Sequence, residues 1–361
     1  MDTTSLIDRV VKCVINHNTK RPVKNYGSVG YVNDYSDPTW ALNMTYWDWS
    51  PGVAAYGIFR AWKETGNPEY YEYMRNWVNG LMHKAYGVKT VNATAPLLTV
   101  LGLYEAAGIP DDLKVCVDAA DWILEHAPRT REGGFEHTVN EAGSGFSEQI
   151  WADTLFMACI FLARLGRITG NPRYWEEAGK QLYIHHKLLK DKKTGVFYHG
   201  WNCESQGWMS GALWGRANAW ITASTVEILE ELPMECSGRK EIIDSLQEQV
   251  AALSRLQRPT GMFGTLLDHP DSYDETSATA GIAYGIRRGV RKGYLPATLM
   301  EVVYKAEKAV MDSINEDGGV EGVSTGTPVM PSLEEYKTRE RYPILYGQGL
   351  ALLMLCESLK D

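Results

Sequence analysis

The sequence predicts an all-α fold, an (α/α)6 toroid (barrel) of six helical hairpins, and three observations indicate it. Apolar residues recur at helical spacing along most of the 361 residues, whereas the alternation typical of strands is scarce. A helix-turn-helix signature occurs twice. Several helical segments are also apolar on nearly all sides, as an inner ring of buried helices requires. We expect a single catalytic domain over residues 1–361.

The repeated signature is Thr-Gly-Asn-Pro, at residues 65–68 and again at 169–172, an offset of 104 residues. Glycine commonly ends a helix, and Asn followed by Pro commonly begins the next one. If 104 residues hold two hairpins, the chain of 361 residues holds six or seven. The repeat therefore sets the size of one structural unit.

Helical periodicity covers segments throughout the chain, and a further helix is expected after each Asn-Pro turn. The segments 154–165 and 278–286 are small and apolar nearly all round, which places them in the inner ring. The predicted helices are 53–64, 95–107, 113–126, 154–168, 214–232, 239–258, 276–289, 296–314 and 345–359.

Glycine-rich loops lie between the predicted helices, and most of them place an aromatic ring beside a glycine. In a toroid, loops from alternate hairpins meet at one mouth, where binding residues tend to lie. None has the strand-turn-helix context of a phosphate-binding loop, so no nucleotide cofactor is expected. The loops are 133–137, 143–146, 195–200, 261–264 and 318–320.

The bulk composition excludes several classes of protein. A net charge of −9 without a basic stripe argues against a nucleic-acid partner. No apolar run is long enough to span a membrane, and residues 1–10 do not resemble a signal peptide. The six cysteines form no Cys-x-x-Cys pair. We expect a cytoplasmic protein without membrane contact, either a monomer or a weak homodimer.

Asp153 is the strongest candidate for catalysis. It follows Trp151 and runs directly into the apolar stretch 154–162. An ionised carboxylate is costly in such surroundings, so we expect burial to raise the pKa of Asp153. A carboxyl group with a raised pKa is a usable proton donor near neutral pH.

Aromatic residues cluster with histidine, arginine and asparagine at helix edges and in turns. Rings of this kind stack on the C–H faces of sugars, while Arg216 can hold a carboxylate with two parallel hydrogen bonds. The alternatives are that each tryptophan belongs to the core and that Arg216 forms a buried ion pair. The candidate substrate-binding residues are Trp47, Trp49, His137, Trp151, His199, Trp214, Arg216 and Trp220.

Other types of site are poorly supported by the sequence. The Gly-x-Ser-x-Gly motif of a serine nucleophile is absent. His185 and His186 are adjacent, so on a helix they face different directions and make a weak metal site. We expect no metal and no cofactor, which leaves acid-base chemistry.

Six motifs together resemble the unsaturated uronyl hydrolases of glycoside hydrolase families 88 and 105. They occur in the order seen in those families, from about residue 40 to 357, and the chain looks most like the family 105 unsaturated rhamnogalacturonyl hydrolases. The motifs are Trp-Asp-Trp-Ser-Pro-Gly-Val at 47–53, Gln-Ile-Trp-Ala-Asp at 149–153, Tyr-His-Gly-Trp at 198–201, Trp-Gly-Arg-Ala-Asn-Ala-Trp at 214–220, Glu-Thr-Ser at 275–277 and Tyr-Gly-Gln-Gly at 346–349.

The resemblance implies an (α/α)6 barrel that removes a 4,5-unsaturated uronic acid from the non-reducing end of a lyase-generated oligosaccharide. The implied chemistry is protonation at C4 of the vinyl ether, addition of water at C5, and opening of the hemiketal with loss of the aglycone. It also implies that Asp153 donates the proton and then, once ionised, assists the water.

The chain departs from the family pattern at two positions. Asn92 stands where relatives usually carry a second aspartate, and Thr138 stands where a lysine is common. Asparagine can orient water or a hydroxyl but cannot take a proton, so Asn92 is a non-titrating member of the catalytic pair. The substrate can therefore differ from the rhamnogalacturonan disaccharide, with unsaturated galacturonyl and glucuronyl oligosaccharides both candidates.

Three other functions are compatible with the residues. An inverting glycosidase needs a second carboxylate roughly 6.5–9.5 Å from Asp153, for which Asp48 and Glu275 are candidates. A sugar epimerase needs two histidines across the cavity, such as His137 and His199. A carbohydrate-binding protein without activity does not need Asp153.

Overall fold

The computed structural model describes residues 2–16, 43–139 and 146–360, and these ranges contain thirteen α-helices and one two-stranded sheet. The strands are β1 (Gln149–Trp151) and β2 (Gly200–Asn202). The helices are α1 (Thr3–Ile15), α2 (Trp49–Thr65), α3 (Pro68–Leu81), α4 (Leu97–Ala107), α5 (Pro110–His126), α6 (Ile160–Thr169), α7 (Pro172–Leu189), α8 (Gly215–Glu231), α9 (Arg239–Leu256), α10 (Thr276–Arg291), α11 (Met300–Asp312), α12 (Leu333–Lys337) and α13 (Leu345–Ser358).

Six helices form a closed inner ring in which each contacts the next: α2, α4, α6, α8, α10 and α13, with α13 packed back against α2. Five outer helices, α3, α5, α7, α9 and α11, each follow an inner helix and return the chain. The sixth outer helix is α1, which packs on α13, so the two ends of the described chain form one hairpin. The (α/α)6 toroid is confirmed.

Burial separates the two rings as the sequence pattern predicts. Every residue from 345 to 357 in α13 and from 215 to 229 in α8 is buried, whereas outer helix α9 buries one face. Glycine permits close approach inside the ring: a Cβ on Gly349 would lie 2.4 Å from the carbonyl oxygen of Val53 in α2. The core is therefore the ring itself.

The hairpin turns use the residues that the repeat predicts. Gly66 and Gly170 end α2 and α6 in the left-handed conformation, each with φ of 68°. Asn67 and Asn171 then accept hydrogen bonds from the backbone of the next helix. Gly108, with φ of 66°, ends α4 in the same way. The predicted glycine-asparagine-proline turns are confirmed.

Two predicted helices begin differently from the expectation. Residues 155–159 of the segment 154–168 form a π-helical turn before α6 starts, and 297–299 of the segment 296–314 form a 3₁₀ turn before α11. Single π turns inside helices are frequent at functional sites, and this one begins two residues after Asp153. Within the described ranges, no helix is both long and apolar enough to cross a bilayer.

Candidate active site

A cavity lies at the end of the toroid where the inner helices begin. Because every outer helix returns the chain, the inner helices run parallel and their N-termini point to this end. Helix N-termini carry partial positive charge, which favours an anionic ligand. The cavity is lined by Trp49, Asn92, His137, Val139, Phe146, Trp151, Asp153, Met157, Trp214, Arg216, Gly326, Thr327 and Pro328.

The structure brings seven of the ten candidate residues together around this cavity. His199 lies just behind its wall, and Trp47 and Trp220 lie outside it. The seven are Trp49, Asn92, His137, Trp151, Asp153, Trp214 and Arg216.

Trp47 and Trp220 are placed in the core instead. Trp47 stacks on Trp77 with 5.7 Å between ring centroids, and its Nε1 donates a hydrogen bond to the carbonyl of Ala93. Trp220 is fully buried in the middle of α8, where its ring contacts Phe156 at 4.8 Å. Other residues of the same two motifs line the cavity, but the rings of Trp47 and Trp220 are packed in the core outside its lining.

The small sheet places His199 beside Asp153. In the antiparallel pair of β1 and β2, Trp151 lies opposite Gly200, and the N–H of Ala152 donates to the carbonyl of His199 at 3.0 Å. As a result, Nε2 of His199 is 3.3 Å from Oδ2 of Asp153. The contact has ion-pair distance without ideal hydrogen-bond alignment, and in the described ranges both atoms are buried with no other partner.

The pKa of Asp153 differs from the expectation. Burial alone raises the pKa, as predicted, but the contact with His199, the proximity of His137 and the positive charge of Arg216 together lower it further than burial raises it. The net pKa lies below the ordinary value of 3.8, so the prediction of a raised pKa is wrong for the unliganded protein. Burial also lowers the pKa of His199. At neutral pH the pair is therefore a carboxylate beside a neutral imidazole.

A cluster of three rings forms one wall of the cavity. Trp151 stacks on His137 with centroids 4.5 Å apart, and Phe146 stacks on Trp151 at 4.8 Å. Nδ1 of His137 is 3.2 Å from the hydroxyl of Thr154, and burial lowers the pKa of His137 to about 4, so the ring is neutral. Residues 143–145 of the glycine-rich loop before Phe146 lie outside the described residues.

Asn92 is held at the cavity by Thr138. The carbonyl of Thr138 accepts a hydrogen bond from the N–H of Asn92 at 3.2 Å, and its hydroxyl accepts one from the N–H of Val91 at 2.8 Å. Oδ1 of Asn92 is buried and has no partner in the described ranges. A buried amide oxygen of this kind is normally satisfied, so Asn92 is ready to bind water or a ligand hydroxyl.

Arg216, in the first turn of α8, is anchored as well as placed at the cavity. Its Nη1 donates to the hydroxyl of Ser324 at 2.6 Å and lies 3.3 Å from Oε1 of Glu275. Its Nη2 donates to the carbonyl of Thr325 at 3.2 Å and to the hydroxyl of Thr327 at 3.1 Å. The alternative role expected for Arg216 from the sequence is a buried ion pair, and this ion pair, with Glu275, is present. Arg216 also lines the cavity.

Trp214 offers its edge rather than an open ring face. Its ring lies 4.0 Å from the ring of His199, and the guanidinium carbon of Arg216 lies 4.3 Å from its centroid. Nε1 of Trp214 is buried without a partner in the part of the chain that the structure describes. This N–H is available to an acceptor on a ligand.

The two candidates for a second carboxylate have structural roles. Asp48 caps α2 and accepts a hydrogen bond from the N–H of Trp49 at 2.6 Å. Glu275 caps α10 through Ala278 at 2.6 Å and also accepts from the N–H of Ser324 at 2.8 Å. Neither side chain lines the cavity, so the geometry does not favour a conventional inverting glycosidase.

The histidines fit neither an epimerase nor a metal site. His137 and His199 both contact Trp151, so they lie on one wall instead of facing each other. His185 and His186 are buried, with Nδ1 of His185 bonded to the carbonyl of Gln181 at 2.8 Å. No group of three metal-binding side chains occurs within residues 2–16, 43–139 and 146–360.

Sequence reasoning missed one wall of the cavity. Gly326, Thr327 and Pro328 come from a segment without helical or strand periodicity, so no local pattern marks them. The same segment contains Tyr336, which is fully buried in α12 and whose hydroxyl lies 2.7 Å from Nδ1 of His199. Only the fold reveals these contacts.

Comparison with known proteins gives consistent results. The chain is 38% identical over 315 residues to the unsaturated rhamnogalacturonyl hydrolase YesR of Bacillus subtilis, covering 87% of this chain and 90% of that protein. It is 28% identical over 274 residues to an unsaturated 3S-rhamnoglycuronyl hydrolase of Alteromonas sp. (strain LOR), covering 72% and 64%.

A solved structure matches over nearly the whole chain. A protein of Salmonella enterica serovar Paratyphi A, described as a possible member of the GH105 family, superposes with a TM-score of 0.90 at 32% identity. The match covers 99% of this chain and 93% of that one. The model of Glycosyl Hydrolase Family 88 matches residues 25–361. With its helical toroid and its match to the family model over most of its length, this chain belongs to glycosyl hydrolase family 88.

Proposed function

We propose that the protein removes a 4,5-unsaturated galacturonyl or glucuronyl residue from the non-reducing end of lyase-generated oligosaccharides. The observation that carries the proposal is that, among the residues that the structure describes, Asp153 supplies the one carboxyl group on the lining of a cavity ringed by helix N-termini. Direct glycoside hydrolysis normally uses a carboxylate pair, whereas hydration of a vinyl ether needs one group that gives and then takes a proton. The names of the relatives agree with this choice.

The reaction begins with proton transfer from Asp153 to C4 of the vinyl ether, which leaves an oxocarbenium ion at C5. The Asp153 carboxylate then takes a proton from a water that adds to C5, and the hemiketal opens and releases the aglycone. Oδ2 of Asp153 is buried against His199, while the side chain remains 14% exposed. The other oxygen, Oδ1, is therefore the one that reaches the substrate.

The lowered pKa of free Asp153 means that the proton must arrive with the substrate. A bound uronate brings a second negative charge and displaces water, and both effects raise the pKa of a neighbouring carboxyl group. Substrate binding should therefore protonate Asp153 and prepare it as the acid. The negative charge of the bound substrate thus promotes protonation of Asp153, the group that then donates the proton to C4.

Five side chains on the cavity lining are positioned to hold that substrate. Arg216 and the surrounding helix N-termini attract the carboxylate, and Nε1 of Trp214 can donate to one of its oxygens. The amide oxygen of Asn92, which has no hydrogen-bond partner within the described ranges, can orient a ring hydroxyl or the attacking water. Trp49 and Trp151 supply ring surface for the sugar.

No cofactor takes part in the proposed reaction. The cytoplasmic location and the monomeric or weakly dimeric state stay predictions.

The decisive experiment uses a panel of unsaturated disaccharides, including pectin-derived ones, and follows loss of the ultraviolet absorbance of the conjugated double bond. In heavy water the released keto acid should carry one deuterium at C4, and a saturated glycoside with the same aglycone should be inert. Hydrolysis of the saturated glycoside at a comparable rate would show that the protein is a conventional glycosidase. Inactivity on every unsaturated uronide would reject the proposal.

A further inference from the structure

A chain of three side chains in close polar contact leads from the buried interior to the catalytic carboxylate. The hydroxyl of Tyr336 is 2.7 Å from Nδ1 of His199, and Nε2 of the same ring is 3.3 Å from Oδ2 of Asp153. Tyr336 is itself fixed: its oxygen accepts a hydrogen bond from the N–H of Met330 at 3.1 Å, and the hydroxyl of Ser210 is 3.3 Å away.

The direction of each hydrogen bond in this chain follows from the donors and acceptors available. Oδ2 of an ionised Asp153 can only accept, so Nε2 of His199 carries the proton that faces it. A neutral imidazole carries one N–H, which leaves Nδ1 as an acceptor for the O–H of Tyr336. With its own proton directed at His199, the Tyr336 oxygen accepts from the N–H of Met330 and from the hydroxyl of Ser210.

We propose that Tyr336 is a positioning residue that locks His199 in the Nε2–H tautomer and thereby keeps the catalytic proton on Asp153. This inference rests on the proposed function and extends it to a residue that does not line the cavity.

The lock matters because a neighbouring imidazole competes with the substrate for the proton of Asp153. An Nε2 that already carries hydrogen cannot accept it. Protonation at Nδ1 would turn a new N–H toward the Tyr336 oxygen, and the Tyr336 O–H would then have to leave His199 at 2.7 Å for the more distant Ser210 hydroxyl at 3.3 Å. The proton taken up with the substrate therefore stays on the carboxyl group. The stacking of His199 on Trp214, at 4.0 Å, keeps the ring in this orientation.

Tyr336→Phe tests the lock because it removes one hydroxyl and keeps the ring. Without the donated hydrogen bond, His199 becomes easier to protonate, and an imidazolium beside Asp153 lowers the pKa of the acid. We expect kcat to fall by roughly tenfold or more, with KM within about threefold, since acid-base groups mainly affect the chemical step. The basic limb of the kcat–pH profile should move down by about one pH unit.

The matched control is Tyr174→Phe, which removes a hydroxyl that donates to Asp121 between the outer helices α7 and α5. It should leave kcat and the pH profile unchanged. A second control combines Tyr336→Phe with His199→Gln, whose amide can still donate to Asp153 but does not titrate. In the His199→Gln background, Tyr336→Phe should no longer shift the profile. An equal shift in both backgrounds would overturn the proposal.

A measurement on the wild-type protein separates this proposal from the proposed function. Nitrogen-15 NMR of the histidine side chains at neutral pH, with His199→Gln used for assignment, should show His199 as the Nε2–H tautomer without any substrate. Tyr336→Phe should convert it to a mixture of tautomers. An Nδ1–H tautomer in the wild-type protein would overturn the lock, whereas inactivity on unsaturated uronides would reject only the function.

Discussion

Helix α8 carries a positive charge at the cavity, on Arg216, and a negative charge inside a buried ion network near its other end, on Glu227. Arg216, in the first turn, faces the cavity, while Glu227 lies eleven residues later, about 16 Å along the helix. Both oxygens of Glu227 accept from the hydroxyl of Tyr56, at 3.0 and 2.9 Å, and Arg164 donates to Oε2 at 3.0 Å. Tyr284 also donates to Oε1. The charge at the far end of the ring is fully enclosed by partners.

The difference between the ends follows from the parallel inner helices. Their C-termini meet at the far end, where negative helix ends favour the cations Arg60, Arg164 and Arg288. Burial raises the pKa of Glu227, but these three arginines lower it more, to about 2. At the cavity end, by contrast, Oδ1 of Asn92 and Nε1 of Trp214 have no hydrogen-bond partner among the residues that the structure describes. The paired charges around Glu227 therefore stabilise the far end of the ring, whereas the polar atoms of Asn92 and Trp214 at the cavity end are available to a ligand.

The largest effect on activity should come from Asp153→Asn. The amide keeps the shape of the side chain but cannot donate the proton, and general acid-base catalysis contributes roughly 10²–10⁴-fold. We expect kcat to fall by that factor while substrate affinity, measured by calorimetry, changes less than about tenfold. Retention of a tenth of the wild-type rate would place the catalytic acid on another residue.

The largest effect on stability should come from Glu227→Gln at the other end. Removing one partner of a buried ion network leaves the arginines uncompensated, which typically costs about 3–5 kcal/mol. Denaturant unfolding should show this loss, while kcat of the folded fraction stays at the wild-type value. Glu301→Gln is the matched control, because Glu301 pairs with Lys305 on the exposed face of α11. A kcat change in Glu227→Gln would mean that the two ends are coupled.

The pH dependence of the unfolding free energy separates the contribution of Glu227 from those of other titrating groups. The pKa of Glu227 falls from 4.5 in the unfolded chain to about 2 in the fold, so its stabilisation is complete above pH 4.5 and is lost as the pH falls toward 2. Burial lowers the pKa of His185 to about 4 and that of His186 to about 3, and both destabilise the fold increasingly below pH 6.5. The histidine effect is common to wild type and Glu227→Gln. The difference in unfolding free energy between them should therefore be constant from pH 7 to 5 and shrink below about 4.5.

The fold was predictable because its signals are local. Gly66, Asn67 and Pro68 specify a turn without reference to the rest of the chain, and the second copy at 169–172 reveals the period. The all-round burial of α8 and α13 is visible in their composition. The π turn at 155–159 was not predictable, since its sequence has the same apolar periodicity as an ordinary helix.

The site was predictable in part. The residue types around Asp153 and Trp214 indicate a cavity, but the sequence does not tell which ring faces it: Trp214 and Trp220 share one motif and lie on opposite sides of the cavity wall. The pKa of Asp153 depends on His199 and Arg216, which are brought near by the β1–β2 pairing and by α8. Long-range neighbours of this kind leave no local pattern.

Arg216→Lys should have an intermediate effect at the cavity end. A lysine keeps the charge but loses the planar fork that bonds Ser324 and Thr327 while facing the cavity. We expect KM to rise by about tenfold and kcat to change by less than about threefold. Arg75→Lys is the control, since Arg75 makes a similar forked contact with Asp112 between outer helices, at 2.7 and 3.1 Å. An unchanged KM would show that other groups hold the substrate carboxylate.

The smallest effects should separate the two tryptophans of α8. Trp214→Phe removes the Nε1–H at the cavity, which has no partner among the described residues, so we expect KM to rise by about three- to tenfold through loss of one hydrogen bond to the substrate of roughly 1 kcal/mol. Trp220→Phe leaves a small void against Phe156 and should lower the unfolding free energy by about 1–3 kcal/mol without changing KM. Steady-state kinetics and denaturant unfolding on both variants check this crossed pattern. If Trp220→Phe raised KM by an equal factor, the rings of Trp220 and Trp214 would both contribute to substrate binding. The substrate-binding region would then extend further along α8 than the cavity lining indicates.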